Sequence, residues 1–412
     1  MSESNSASSN SSLSFEISPE ASEISLKLTQ RIKSLISEKG NPIDFETFMQ
    51  MALYEPKLGY YQNNLHKFGE KGDFITAPEM GSLFAECIAN SVKGALKKNS
   101  KYSLLEIGAG SGQLAVDLIK FLKEQNCLPK KYFILEPSAT LQAQQQDNIR
   151  KNFGDYAKSV TWLSGLPNQF DGVIIANEVI DAIPCQIIEK TDMGWFYQGV
   201  DLVKGELQGC LTKEVALDNL PEALNESVSR ESYVLGYKTE VRRQTAPWLS
   251  SLSKCLSHGH ILLIDYGYPA KEYFHPQRTQ GSLTCFINHH RHSDYLKAIG
   301  LQDITAHVDF SDVASGSHQY GFEISGYTTQ AGFLLENGIL ESAERLINLE
   351  GNKDIDRYAI SQQIQKLMMP GQMGEVLKVM SLSKQQNKLD VDGKSTENIL
   401  KGFSMQDHLH RL

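Results

Sequence analysis

Three short stretches carry residue types able to do chemistry. The first, SLLEIGAGSGQLAVDLI (residues 103–119), is an apolar run containing Glu106, followed by Gly108, Gly110 and Gly112 and then a helical pattern. Glycines there let the backbone come close to a ligand, and the helix behind them points its N-terminus at it. The second, KYFILEPS, ends an apolar run in Glu136, where a carboxylate can accept hydrogen bonds from both hydroxyls of a ribose. The third, GVIIANEVIDAIPCQ, sets Asn177, Glu178 and Asp181 behind a further apolar run. If the chain turns helically there, Glu178 and Asp181 share a face. Two carboxylates suit a guanidinium, whose rigid fork binds bidentate and whose charge they offset, and they would polarise it toward losing a proton. Read as architecture alone, the glycines are an ordinary tight turn, Glu178 caps the next turn and Asp181 is a helix N-cap.

Two nucleotide cofactors compete for the glycine turn. A nicotinamide fingerprint, G-x-G-x-x-G, needs a third glycine for close helix–strand packing, and Gln113 stands at that position. The spacing present is E-x-G-x-G-x-G, which resembles the first motif of class I S-adenosylmethionine (SAM) methyltransferases. SAM carries an ammonium and a sulfonium but no phosphate, so an acid such as Glu106 beside the turn makes chemical sense. Glu136 would serve either cofactor. Methyl transfer is an in-line displacement at carbon, and alignment of the nucleophile supplies about 7–11 kcal/mol of the barrier in such reactions.

The elements that must position these residues follow from periodicity. From Tyr102 onward, strand-like runs alternate with helical ones (YSLLEI, KYFILE, SVTWL, DGVIIANE and HILLIDYG are the apolar runs), which predicts an α/β fold with a parallel sheet covered on both faces. The segment after Cys185 breaks the rhythm and reads as antiparallel hairpin strands. The expected organisation is a disordered Ser/Asn-rich tail over 1–24 and a helical cap with a Gly/Pro-rich loop over 25–98. A core follows over 99–183 and 256–384, with a helical insertion at 331–374. An inserted β-rich substrate region spans 184–255, and a loose polar tail spans 385–412.

The 412 residues are 41% hydrophobic, enough for a sizeable core. The net charge of -9 disfavours nucleic acid and suits a basic partner. Six cysteines without a CxxC pair read as free thiols of a reducing compartment. No apolar run reaches the roughly 18 residues that would cross a bilayer. The first 14 residues lack arginine and do not resemble a secretory or mitochondrial leader, so a cytoplasmic location is expected. The HHRH stretch at 289–292 lacks standard ligand spacing, so no metal is expected, and it reads as a positively charged rim for cofactor or substrate. A homodimer is compatible with the sequence, which does not set the oligomeric state.

The motifs GDFITAPEMGSLFAE (72–86), LLEIGAGSGQLAVDL, LEPS, ANEVIDAIP, DYG (265–267), DITAHVDFS, YTTQAGFLLENGI and PGQMGEVLKV occur in order. Together they resemble the MidA family, which includes mitochondrial complex I assembly arginine methyltransferases, over about residues 40–384. The resemblance implies a Rossmann-like class I methyltransferase sheet, mostly parallel with an antiparallel last strand. It implies SAM as cofactor and an arginine of a partner protein as acceptor, on a complex I subunit in the mitochondrial relatives. It assigns Gly108, Gly110, Gly112 and Glu136 to the cofactor, and Asn177, Glu178 and Asp181 to the active-site edge. Asp73, Thr76, Pro78 and Glu79 become a lid facing the cofactor, while Asp265 and Tyr266 are expected on the substrate side. Two departures stand out: Gly108-Ala109-Gly110 replaces the commoner G-P-G, and SLTCFINHHRHSD (282–294) replaces a TLQ-type stretch. Competing readings are a nicotinamide oxidoreductase, a SAM-binding assembly factor with little catalysis, and a methyltransferase of another acceptor.

Overall fold

The computed structural model describes residues 17–65, 76–225, 232–349, 354–384 and 400–412. The apolar runs become one sheet: β1 (Ser103–Ile107), β2 (Tyr132–Leu135), β3 (Val160–Leu163), β4 (Phe170–Asn177), β5 (Leu256–Tyr268), β6 (Glu323–Thr329) and β7 (Leu377–Lys384). Their order across the sheet is β6-β7-β5-β4-β1-β2-β3. Strands β1 to β5 pair in parallel, and β7 runs antiparallel to both β5 and β6. Every residue of β1 is buried, as a parallel strand between two helical layers must be.

Five helices matter for the site: α1 (Pro19–Lys39), α2 (Phe45–Tyr54), α3 (Leu83–Lys98), α4 (Gln113–Glu124) and α5 (Ala139–Phe153). Side chains alternate along the strands, so Leu104, Val173 and Ile175 bury one face of the sheet against α3 and α4. Leu105, Ile174 and Leu263 bury the other against Leu249 and Leu252 of the helix Thr245–Cys255 and Phe310 and Val313 of the helix Phe310–Gln319.

The N-terminal helices belong elsewhere. Leu28, Ile32, Phe45 and Phe48 of α1 and α2 share a core with Ile187 and Val200 of an antiparallel sheet. Its strands are Ile43–Asp44, Gln186–Thr191, Gly194–Val203, Glu206–Glu214 and Lys238–Val241. Cys285 and Ile304, from the three-stranded sheet Thr284–Ile287, His290–His292 and Asp303–Thr305, enter the same core.

The expected boundaries therefore shift where apolar faces point. The proposed cap of 25–98 divides: α1 and α2 pack on the inserted sheet, and α3 packs on the central one. The helix Thr245–Cys255 leaves the insertion for the central sheet, while 284–305 leaves the core for the second lobe. The assignment of 1–24 to a disordered tail is corrected from Ser18 onward, where Ser18 caps α1 by accepting from the Ala21 amide at 3.2 Å. The loose tail assigned to 385–412 is corrected over its described part, residues 400–412. Leu400 is buried, Phe403 packs 5.7 Å from the Phe333 ring, and Glu336 accepts amide hydrogens from Gly402, Ser404 and Met405. Two apolar anchors inside a polar segment suffice to dock it. Among the described residues, no helix is long and apolar enough to cross a membrane.

Candidate active site

The glycine turn leaves β1 at its carboxyl end, with Gly108, Gly110 and Gly112 all at positive φ. Two of these glycines also make room for neighbours. A Cβ on Gly108 would lie 3.0 Å from the Val179 side chain, and one on Gly112 would lie 2.9 Å from Gln145. Gly108 and Gly110 line a cavity of about 620 Å³, within the range of small-molecule sites. Gly112 is not among its lining residues and packs against Gln145.

Gln145 itself escaped the sequence reading. Its side chain is fully buried on α5 and donates to the Gly110 carbonyl at 2.8 Å and to Glu136 at 3.4 Å. Its oxygen accepts from the Trp162 indole at 2.9 Å. One amide thus locks the glycine turn to the acid at the end of β2. The signal lay in the spacing Leu141, Gln145, Ile149, an inward stripe with one polar member.

Glu136 lines the cavity, and one of its oxygens accepts the Ser138 amide at 3.0 Å. Glu106 lines it too, with an oxygen accepting from the Tyr132 hydroxyl at 2.6 Å. Burial raises Glu106 to about 7, against the lowering effect of that hydroxyl.

Register places the third group. Asn177 on β4 pairs with Ile264 on β5, so the next residue of β5, Asp265, lies beside the chain leaving β4. The Asp265 carboxylate accepts amide hydrogens from Val179, Ile180 and Asp181 at 3.1, 2.8 and 3.3 Å, and from Tyr266 at 2.8 Å. It is the mould for the turn and is not among the residues lining the cavity. Tyr266 does not line the cavity either; its ring stacks on His307. No helix follows Asn177: a single Ile183-to-Ile180 turn bond closes the bend, so Asp181 is not a helix N-cap. Asp181 and Glu178 nevertheless line the same cavity. Arg242, at the end of an inserted strand, holds the bend from outside by donating to the carbonyls of Asp181, Ile183, Ala306 and His307.

Glu178 has φ +51°, a left-handed conformation that is strained for a residue with a Cβ. Burial first, then the neighbouring Asp181, pushes its carboxyl up to about 8. Burial raises Asp181 to about 6, opposed by the charge of Arg242. On two of the lining residues, Asn177 Oδ1 and Asp181 Oδ1 are buried with no hydrogen-bond partner.

Thr76, Pro78 and Glu79 line the cavity, and Glu79 accepts a hydrogen bond from Ser111 of the glycine turn. Asp73 lies outside the described residues. The lining also includes Tyr54, Tyr61 and Asp303, none of which was singled out from sequence. The HHRH stretch forms part of a hairpin and is not among the residues lining the cavity. Among the described residues no cluster of potential metal ligands occurs.

Among the described residues the lining holds six carboxyl groups, Glu79, Glu106, Glu136, Glu178, Asp181 and Asp303, and no lysine, arginine or histidine. A dinucleotide's diphosphate would be repelled there, whereas a nucleoside bearing an ammonium and a sulfonium would be favoured. Glu136 fits the ribose and Glu106 the ammonium, with Leu135, Leu141 and Leu163 supplying apolar surface for a base. SAM fits this donor set.

Comparison with known proteins agrees. A family described as "Putative S-adenosyl-L-methionine-dependent methyltransferase" matches residues 83–328. The chain is 28% identical over 385 residues to a mitochondrial protein arginine methyltransferase NDUFAF7 homolog of Caenorhabditis elegans, covering 86% of each chain. It is 28% identical over 362 residues to the mitochondrial protein arginine methyltransferase NDUFAF7 of Homo sapiens, covering 81% of this chain and 78% of that one. A Burkholderia thailandensis protein crystallised with S-adenosyl-homocysteine superposes with a TM-score of 0.85 at 32% identity, covering 96% of this chain and 99% of that one.

Proposed function

We infer that this chain, which belongs to the MidA family of S-adenosyl-L-methionine-dependent methyltransferases, methylates an arginine side chain of a partner protein. The observation that carries this reading is the pair of carboxyl groups, Glu178 and Asp181, that the bend after β4 brings to one cavity. The arginine methyltransferase activity named for the relatives supports the same acceptor.

SAM supplies a methyl carbon on sulfur; as the carbon–nitrogen bond forms, the carbon–sulfur bond breaks with its pair left on sulfur, and the nitrogen sheds a proton. The protein's residues then have defined tasks. The Asp181 carboxyl group accepts a hydrogen bond from the guanidinium and helps fix its plane. Glu178, protonated near neutrality while the site lacks a cation, ionises as the guanidinium docks, because a neighbouring positive charge favours the carboxylate. It is then the base that receives the nitrogen's proton, a role commonly worth about 10²–10⁴-fold in rate. The bend held by Asp265 and Arg242 keeps these groups aimed without taking part.

A cytoplasmic location belongs to the same proposal, supported by six free cysteines. A homodimer is the assembly we would test first. The deciding experiment incubates the purified protein and methyl-tritiated SAM with an extract from cells lacking the gene, then hydrolyses the protein fraction. Label in methylarginine that disappears with Glu178→Gln is the expected result. Label confined to another residue, to RNA or to small molecules overturns the reading. Label in no acceptor, with rescue of the cells by Glu178→Gln, would make the chain a SAM-binding assembly factor.

A further inference from the structure

A second concave space, a groove of about 900 Å³, lies between the two lobes. One side is α1 and α2, which pack on the inserted sheet, and the other is the helix Thr245–Cys255, which packs on the central one. Ile183 and Pro184 line it, directly after Asp181 and Ala182, which line the SAM cavity. The division recurs on α2: Tyr54 lines the cavity, while Met51 and the next residue, Glu55, line the groove. The two spaces therefore share a wall, which the Tyr54 hydroxyl closes by donating to the Ala182 carbonyl at 3.0 Å. The groove is also braced across the lobes. Gln244, beside the helix, donates to Glu46 of α2 at 2.7 Å, and Arg243 lies 3.4 Å from the same carboxylate.

Resting on the reading of a protein acceptor, we propose that this groove docks a basic segment of the acceptor protein, a contact separate from the arginine that is methylated. Among the described residues its lining carries four carboxylates, Glu38, Asp44, Glu46 and Glu55, against one cation, Arg31. That imbalance in a concave space attracts a cationic chain and steers its approach. Arg31 sits 3.4 Å from Glu55, but its side chain is 65% exposed, and an ion pair so wet gives up its partner at little cost. Trp248, half-buried on the helix, lines the same space, and an indole face is the best aromatic seat for a lysine or arginine. Another copy of this chain, at a net charge of -9, is repelled on average. The shared wall sets the purpose of the contact. A segment held in the groove lies next to the bend that carries Glu178 and Asp181, so docking raises the local concentration of its arginine at the cavity without entering the chemistry.

The test uses a fluorescein-labelled peptide of alternating lysine and glycine, which has no arginine to offer the cavity. Its anisotropy is followed as the full-length protein, saturated with S-adenosyl-homocysteine, is added at about 0.01 M salt, where exposed charges are little screened. Wild type should bind it, and an alternating glutamate–glycine peptide should not bind. Glu38→Lys/Glu55→Lys gives the groove a positive balance and should weaken binding by about tenfold or more. Trp248→Ala should weaken it by about threefold. Glu178→Gln, across the wall, should leave it within about twofold, and every variant should keep its S-adenosyl-homocysteine affinity within about twofold as the control for folding. Undiminished binding by the double variant, no binding by wild type, or a loss in Glu178→Gln as large as that in the double variant overturns the groove. So does a dimer in sedimentation that the double variant dissolves, since a second copy then fills the space. The arginine reading is judged separately by the tritium experiment: methylarginine formed by a wild type that does not bind the lysine peptide sinks the docking site and leaves that reading standing.

Discussion

Replacing Glu178 with glutamine should make the protein more stable and inactive, by an amount that depends on pH in a set direction. Burial and Asp181 raise this carboxyl from 4.5 to about 8, so the folded chain holds a proton that the unfolded chain releases. Stability from this group is therefore fully present below about 4.5 and is lost as pH climbs to about 8. At roughly 1.4 kcal/mol per pH unit, the loss is about 5 kcal/mol, of which some 3 falls between pH 6 and 8. Glutamine imitates the protonated acid and has nothing to lose. Urea unfolding of both proteins at pH 6 and pH 8.5 should show the advantage of Glu178→Gln growing by about 2–3 kcal/mol, the lower figure allowing for water entering the cavity. The same variant should bind S-adenosyl-homocysteine normally and lose about 10²-fold or more in turnover. In wild type, kcat/KM should rise with pH toward about 8, as the base sheds its proton. A stability difference that does not change with pH would refute the claim that Glu178 is held in its neutral form, and normal turnover would remove it as the base.

Asp265→Ala leaves four amide hydrogens without their acceptor, and at about 1–3 kcal/mol for each buried unmet donor, partly relieved by water, the denaturation midpoint should fall by at least about 3 kcal/mol equivalent. Gln145→Ala frees the glycine turn from Glu136 and Trp162, so calorimetry should find S-adenosyl-homocysteine binding weakened by about tenfold, with unchanged affinity contradicting the lock. Phe403→Ala empties a site against Phe333 and should cost about 3 kcal/mol of stability in urea unfolding, whereas a loose tail would show no effect.

The acidic lining explains why a strained and electrostatically unfavourable bend persists in an otherwise well-packed core. Glu178 combines a left-handed backbone with a half-buried acid beside another acid. Each feature destabilises the fold, and the Asp265 carboxylate and Arg242 guanidinium hold the bend in place regardless. Strain of this kind is characteristic of sites kept for what they bind.

The sequence alone determined whatever depends on neighbours along the chain. The alternation of apolar runs with helical stretches marked the strands, since a strand buried on both faces must be continuously apolar and a helix must repeat every 3.6 residues. Glu106, Glu136, Glu178 and Asp181 were legible because each sits at or just past an apolar run, and in a parallel sheet such ends share one edge. Tertiary structure decided what depends on register and on contacts between distant segments. Asp265 became a mould because β5 pairs with β4 in one register. Gln145 became a lock because α5 turns that one glutamine inward among several. Tyr54, Tyr61 and Asp303 met only because α1, α2 and the 284–305 strands bury their apolar faces together against the inserted sheet. No periodicity encodes such a meeting: contacts across some 240 residues of chain are set by which faces must leave water together, and that is a property of the whole fold.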